Sequence, residues 1–246
     1  MSAAGMYGER ADLYDRIYTW KDYAGEAARL RAVLRAAGVP DGARILEAAC
    51  GTGSFLAQLR RWYDVTGFDI SDTMLAECRR KLPDVRTFRA DMTELRVAEP
   101  YDAVVCLFSS IGHVPPERLD ATAAGFFAAT RPGGVVLVEP WITPEQVLPG
   151  KLVVQHYDGG KASPPEPLKL VRAVAPVHEG RRSILEFHWL VVTPAGVEHL
   201  VDRMEAWQST GEELVDTFER AGFDDVAWLD PGPLMGRGCI LARRPA

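Results

Sequence analysis

The sequence predicts an α/β fold: a mostly parallel sheet flanked by helices, interrupted late in the chain by an inserted antiparallel sheet of four strands. Between Arg44 and Glu139, short apolar runs alternate with helical patterns, which right-handed crossovers turn into a parallel sheet. Beyond Pro149 the period changes, and strand-like runs follow one another with only turn residues between them. A helical pattern and two short strand runs then return, so the antiparallel block is an insertion.

In chain order, residues 1–40 read as an amino-terminal lid or cap. An aromatic-rich opening (Tyr14, Tyr18, Trp20, Tyr23) precedes a strong helix, Ala24 to Ala37, that stops at Gly38. Residues 41–148 read as the α/β core. Its strands are Arg44 to Ala48, Asp64 to Asp69, Val85 to Arg89, Tyr101 to Leu107 and Val135 to Glu139. The helices between them are Ser54 to Trp62, Asp72 to Lys81 and Pro116 to Thr130, the last closed by Arg131-Pro-Gly-Gly. Residues 149–208 form the insertion, with strands at Leu152 to Tyr157, Leu168 to Val177, Ser183 to Thr193 and Val197 to Trp207. Glu179-Gly180 and Pro194-Ala-Gly196 supply the turns. Residues 209–246 complete the core with a helix, Gly211 to Ala221, and strands Val226 to Leu229 and Cys239 to Arg243. An insertion at this point is expected over the carboxyl edge of the sheet, where open α/β proteins bind ligands.

With 246 residues, 47% of them hydrophobic and 25% charged, the chain can bury a sizeable core. A net charge of -6 disfavours a nucleic-acid polymer, whose phosphates call for a basic surface. The four cysteines, Cys50, Cys78, Cys106 and Cys239, form no C-x-x-C pair, which fits a reducing compartment. Met1 to Arg10 lacks the basic start and apolar run of a signal peptide, and no apolar stretch approaches the ~20 residues that span a bilayer. The expectation is a cytoplasmic protein with no membrane contact. The histidines outside the core (His156, His178, His188, His199) lack metal-ligand spacing, and no zinc or magnesium site is expected.

Chemistry concentrates where the first core strand ends. Glu47-Ala-Ala-Cys-Gly-Thr-Gly53 turns from strand into helix, and its glycines let the backbone touch a ligand. Asp69 closes the next strand, placed to accept hydrogen bonds from the vicinal hydroxyls of a ribose. After the third strand, Asp91 can take an adenine amino group while Met92 packs against the ring. Tyr23, Ala48, Ala49, Ile70, Met74 and Leu107 complete the expected lining of an adenosine cradle. A dinucleotide uses the same plan, but its third glycine would fall at position 56, which is Leu56. Glu47 suits the amino group or sulfonium of S-adenosylmethionine (SAM) better than a pyrophosphate. The cradle therefore reads as a SAM site, with NAD or a non-catalytic nucleotide module as alternatives.

Glu47 to Gly53 resembles the first motif of the class I SAM-dependent methyltransferases. That resemblance implies a Rossmann-like seven-stranded sheet with a reversed last hairpin. A narrower resemblance rests on Cys106-Leu-Phe-Ser-Ser-Ile-Gly-His113, Val138-Glu-Pro-Trp141 with Pro149-Gly150, and Gly236-Arg-Gly238. With Ala11-Asp-Leu-Tyr-Asp15 and Lys21-Asp-Tyr23, these are similar to the N,N-dimethyltransferases of dTDP-linked amino-deoxysugars in antibiotic biosynthesis. The resemblance is weakest between Lys151 and Val201. It implies a sugar-nucleotide substrate, with another small-molecule O- or N-acceptor as the alternative.

Methyl transfer to an amine is an in-line displacement that depends on alignment and on a neutral nitrogen lone pair. His113, after the fourth strand, is the expected proton acceptor, with a turn-closing role as its structural alternative. The resemblance gives Tyr14 a supporting role in orienting the amine. Ser109, Ser110, Glu139, Trp141 and Tyr157 are expected around the sugar nucleotide. Arg237, flanked by glycines, suits a diphosphate, with a surface salt bridge as alternative. An exposed antiparallel sheet also offers a surface for a homodimer contact.

Overall fold

The computed structural model describes residues 11–148, 150–158, 169–234, 236 and 238–246, without the side chains of Asp12 and Asp158. Arg237 and Pro149 lie outside the described residues. The chain divides into two units, one of Tyr23–Val147 with Trp207–Ala246, the other of Met1–Asp22 with Leu148–Ala206.

The larger unit is built on a seven-stranded sheet. Strands β1 (Arg44–Ala48), β2 (Asp64–Asp69), β3 (Arg86–Arg89), β4 (Tyr101–Cys106) and β5 (Thr130–Val138) pair in parallel. The carboxyl-terminal hairpin of β11 (Asp224–Leu229) and β12 (Cys239–Arg243) adds antiparallel to β5. The order is β11-β12-β5-β4-β1-β2-β3, so the chain reverses its direction of travel between β1 and β4. At such a switch point neighbouring connections leave on opposite faces, opening a crevice at the strands' carboxyl ends.

Helices α2 (Tyr23–Ala36), α3 (Leu56–Leu59), α4 (Asp72–Lys81), α5 (Pro116–Ala129) and α6 (Gly211–Arg220) flank this sheet. Helix α4 starts where the Ser71 hydroxyl accepts the Met74 N–H and ends on Arg79, Arg80 and Lys81, in keeping with the helix dipole. Thr210 and Glu213 close a reciprocal capping box on α6. Buried side chains form two clusters, one holding Leu30, Leu34, Ile45 and Leu56, the other Leu46, Val104, Phe126 and Phe218.

The smaller unit contains helix α1 (Ala11–Ile17) and an antiparallel sheet. Strands β6 (Val153–Asp158), β7 (Lys169–Val174), β9 (Arg182–Thr193) and β10 (Gly196–Trp207) run in the order β10-β9-β7-β6, and β8 (Val177–Glu179) pairs with β9. Along β9 burial alternates residue by residue: Leu185, Phe187, Trp189 and Val191 are buried, while Glu186, His188, Leu190 and Val192 face solvent. That is the pattern of a sheet with one covered face.

The structure corrects the expectations at three places. The insertion has five strands, because the run expected from Leu168 to Val177 breaks at Ala175-Pro176; Pro176 has no N–H to give to a ladder. The helix expected over 54–62 is only α3, since Arg61 and Trp62 donate to carbonyls three residues back and tighten into a turn. Strand β5 begins at Thr130, paired with Tyr101 ahead of a register shift that absorbs Arg131-Pro-Gly-Gly. Ala27, Leu30 and Leu34 bury α2 in the core of the larger unit.

Candidate active site

The end of β1 carries an acidic residue where the packing is tightest. Ile45 and Leu46 are fully buried, and Glu47 follows at 3% exposure. Its Oε2 has no hydrogen-bond partner among the described residues. Burial holds the carboxyl well above its usual range; nearby Cys78 and Asp69 push in the same direction, and the Leu56 backbone N–H opposes them. A carboxylate so placed is costly alone and calls for a cationic or hydrogen-bond-donating ligand.

The turn after it adopts left-handed conformations at Ala49 (φ 52), Gly51 (φ 54) and Gly53 (φ 81). The two glycines differ. A Cβ on Gly53 would lie 2.5 Å from Cys78 Sγ, so that glycine lets the turn press against α4. A Cβ on Gly51 would meet nothing within 4 Å, and Gly51 is the position that leaves its backbone open to a ligand.

Asp69 ties the two strand ends together. Its Oδ2 accepts the Gly51 N–H at 2.8 Å and its Oδ1 accepts the Ser71 N–H at 2.9 Å. Burial raises its pKa, while those two N–H groups, His113 and the Ile70 N–H pull it down. The side chain is thus a fixed acceptor beside the Gly51 turn. Ile70 next to it is 41% exposed, a branched apolar surface at the mouth of the turn. Asp91 accepts the Thr93 N–H at 2.8 Å through Oδ1 and starts a short turn over Met92–Glu94, with Met92 half-buried. Ala48, Met74 and Leu107 are buried behind these groups, while Tyr23 packs edge-on to Phe55 at 5.0 Å.

At the end of β4 the backbone enters the left-handed region at two successive non-glycine residues, Phe108 (φ 51) and Ser109 (φ 65). Such a pair needs outside support. Glu139, buried at the end of β5, provides it: its Oε2 accepts the Phe108 N–H at 2.6 Å, and its own N–H donates to the Cys106 carbonyl at 2.8 Å. The following turn, Ser110–His113, is tied by the Ser110 hydroxyl donating to the Leu107 carbonyl at 2.9 Å. A Cβ on Gly112 would lie 2.6 Å from Cβ of Trp141, so that turn and Trp141 are packed together. His113 ends exposed, near enough to Asp69 to act on its charge.

The larger unit therefore assembles Glu47, Gly51, Asp69, Leu107, Glu139 and His113 from the ends of β1, β2, β4 and β5. Tyr14 and Tyr157 belong to the smaller unit: Tyr14 on α1 packs at 4.8 Å from Tyr18, and the buried Tyr157 donates to Gln155 Oε1 at 2.9 Å. The Glu139 bond to Phe108 escapes sequence reasoning, because neither Phe nor Ser advertises a left-handed turn. Among the described residues, no group of three or more His, Cys, Asp or Glu is arranged to hold a metal, and no helix is long and apolar enough to cross a membrane.

Comparison with known proteins gives this geometry its context. Residues 45–134 match a family model described as a methyltransferase domain. Over 240 residues the chain is 36% identical to dTDP-3-amino-3,6-dideoxy-alpha-D-glucopyranose N,N-dimethyltransferase of Streptomyces fradiae, covering 96% of this chain and 91% of that one. It is 35% identical to dTDP-3-amino-3,4,6-trideoxy-alpha-D-glucopyranose N,N-dimethyltransferase of Streptomyces venezuelae, covering 95% and 97%. Among solved structures it is similar to Streptomyces venezuelae DesVI, with a TM-score of 0.87 and 33% identity over 97% of this chain and 99% of that one. It is also similar to SAM-bound CalS10, an amino pentose methyltransferase from Micromonospora echinaspora, with a TM-score of 0.82 and 30% identity over 98% of each chain.

Proposed function

This chain belongs to the dTDP-amino-sugar N,N-dimethyltransferases among the SAM-dependent methyltransferases, and we propose that it methylates the amino group of a dTDP-linked amino-deoxysugar twice in succession. The observation that carries the reading is the buried carboxyl of Glu47, with one oxygen unpartnered among the described residues, on the strand that leads into the turn where Gly51 has open space on its Cβ side. These residues fit SAM, whose positive charge answers the carboxylate and whose nucleoside needs a close backbone and a fixed acceptor. When bound, SAM supplies a methyl group on a sulfonium, a strong electrophile that requires no metal.

Around that donor, Glu47 answers the positive charge, Asp69 accepts the ribose hydroxyls, and Asp91 accepts the adenine amino group. Ala48, Ala49, Gly53 and Met74 shape the turn that presents Gly51, while Ile70, Met92, Leu107 and Tyr23 offer apolar surface to the nucleoside.

The amine reaches neutral pH as an ammonium, which has no lone pair to attack with. His113, exposed at the sheet edge, takes that proton, and Tyr14 orients the nitrogen through its hydroxyl. Ser109, Ser110, Trp141 and Tyr157 contact the sugar nucleotide, Arg237 takes diphosphate oxygens, and Glu139 holds the turn that presents Ser110 and His113. The exposed Val154, Val197 and Val201 on one face of the second sheet support pairing of two copies. Four free, buried cysteines support a reducing, cytoplasmic setting.

The test is to incubate the protein with SAM and dTDP-3-amino- or dTDP-4-amino-deoxysugars and follow the product mass. The expected result is a monomethyl species that converts to a dimethyl species. SAM binding without mass gain on any sugar nucleotide would overturn the reading.

A further inference from the structure

The second sheet carries a charge that no described carboxylate balances. Gln155, Arg172 and Trp189 stand directly opposite one another on β6, β7 and β9. Cross-strand partners emerge on one face of a sheet, and so do residues two positions away along a strand. Tyr157 and Phe187 therefore share that face, together with the buried Leu170, Val174 and Val191. Arg172 is the one cation in this apolar set.

Three rings surround its guanidinium. The Arg172 Cζ lies 5.4 Å from the Phe187 ring centroid, 5.6 Å from Trp189 and 5.8 Å from Tyr157, all within cation–π range. Its only polar partner among the described residues is the neutral Gln155, whose Oε1 accepts from Arg172 Nη2 and from the Tyr157 hydroxyl. Arg172 forms no ion pair with any described carboxylate. Its Nε is sealed from solvent without a hydrogen-bond partner, and so is Nε1 of Trp189, a residue only 4% exposed. Aromatic faces attract a cation but leave its N–H donors unmet. A guanidinium carries five donors in a planar fork and always keeps its charge, so a half-buried one with its Nε shielded and unmet, facing no described carboxylate, calls for an anion.

We propose that Arg172, with Trp189, forms an anion subsite on the second sheet that takes the diphosphate of the sugar nucleotide. The fork matches two phosphate oxygens, Nε1 of Trp189 offers a further donor, and the rings hold the guanidinium in place. This inference rests on the sugar-nucleotide reading for the identity of the diphosphate, though not for the need for an anion.

Calorimetric titration with dTDP, thymidine, inorganic pyrophosphate and SAM separates the two. In Arg172→Met, dTDP affinity is expected to fall about 10- to 100-fold, while thymidine and SAM affinities stay at wild-type values. Arg172→Lys keeps the charge without the fork and recovers part of the loss. Trp189→Phe keeps a ring without the donor and weakens dTDP about 3- to 10-fold; these two variants carry the comparison if Arg172→Met does not fold. A folded Arg172→Met that binds dTDP within twofold of wild type overturns the subsite. Wild-type protein that ignores dTDP but binds pyrophosphate through Arg172 retains the subsite and overturns the sugar-nucleotide reading. Wild-type protein that binds neither overturns the subsite.

Discussion

Each unit carries an ionisable side chain with a shielded, unpartnered polar atom, acidic in the larger unit and basic in the smaller. In the larger unit, Glu47 ends a fully buried strand with one oxygen unpartnered. In the smaller unit, Arg172 sits among three aromatic rings with its Nε unpartnered. On the proposed reading each is answered by a ligand of complementary charge, a sulfonium amino acid in one case and a diphosphate in the other. The difference is in construction. Glu47 is set by a local strand-to-turn motif, whereas Arg172 is set by the register of three strands distant in sequence. On the proposed reading the group that answers the sulfonium is fixed by one local motif, whereas the diphosphate subsite depends on how the inserted sheet pairs.

The largest effect is expected at the methyl-transfer step itself, apart from either binding contrast. His113→Ala is expected to lower kcat by about 100- to 10,000-fold, with SAM and dTDP affinities preserved. A shift of the acidic limb of the pH–rate profile checks that His113 carries the proton. An unchanged rate would assign proton removal to water.

A smaller effect separates the two glycines of the β1 turn. Both have positive φ, so alanine at either costs roughly 1–2 kcal/mol in backbone strain. At Gly53 the new Cβ also meets Cys78 Sγ at 2.5 Å and Leu82 at 3.0 Å; overpacking of this kind adds about 1–3 kcal/mol. Denaturant titration should find Gly53→Ala the less stable of the two. Gly51→Ala should instead show the larger loss of SAM affinity for its loss of stability.

The smallest expected effect concerns pH. The carboxyls of Glu47 and Asp69 both sit above their ordinary ranges in the folded protein, mainly through burial. A group raised on folding contributes stability that is fully present below its unfolded pKa and is lost as pH rises through its folded value. Ligand-free protein should therefore lose stability above the usual carboxylate range. Glu47→Gln removes that loss, so its melting temperature should exceed wild type by more at about pH 8 than at about pH 5. Equal differences at both pH values would mean that Glu47 titrates normally.

Much of the larger unit is legible in the sequence because its signals are local. The boundaries of β1, β2, α4 and β12 follow directly from the apolar runs and helical patterns, and Glu47, Gly51 and Asp69 fall at or just after strand ends that those runs define. The features that escape are those set by partners far along the chain. The left-handed pair Phe108–Ser109 depends on Glu139 across the sheet, and the separate roles of Gly51 and Gly53 depend on where Cys78 packs. Arg172 is hidden for the same reason: in an alternating strand it reads as one more polar residue until Gln155 and Trp189 are seen opposite it. The break at Pro176 was present in the sequence, and its missing N–H is the signal that separates β7 from β8.

The division of labour is tested most directly by crossed titration, with Glu47→Gln and Arg172→Met each titrated by SAM and by dTDP. Glu47→Gln is expected to lose about 10- to 100-fold in SAM affinity and nothing in dTDP affinity, and Arg172→Met to show the reverse. Two folded variants that weaken both ligands equally, or neither, would contradict it.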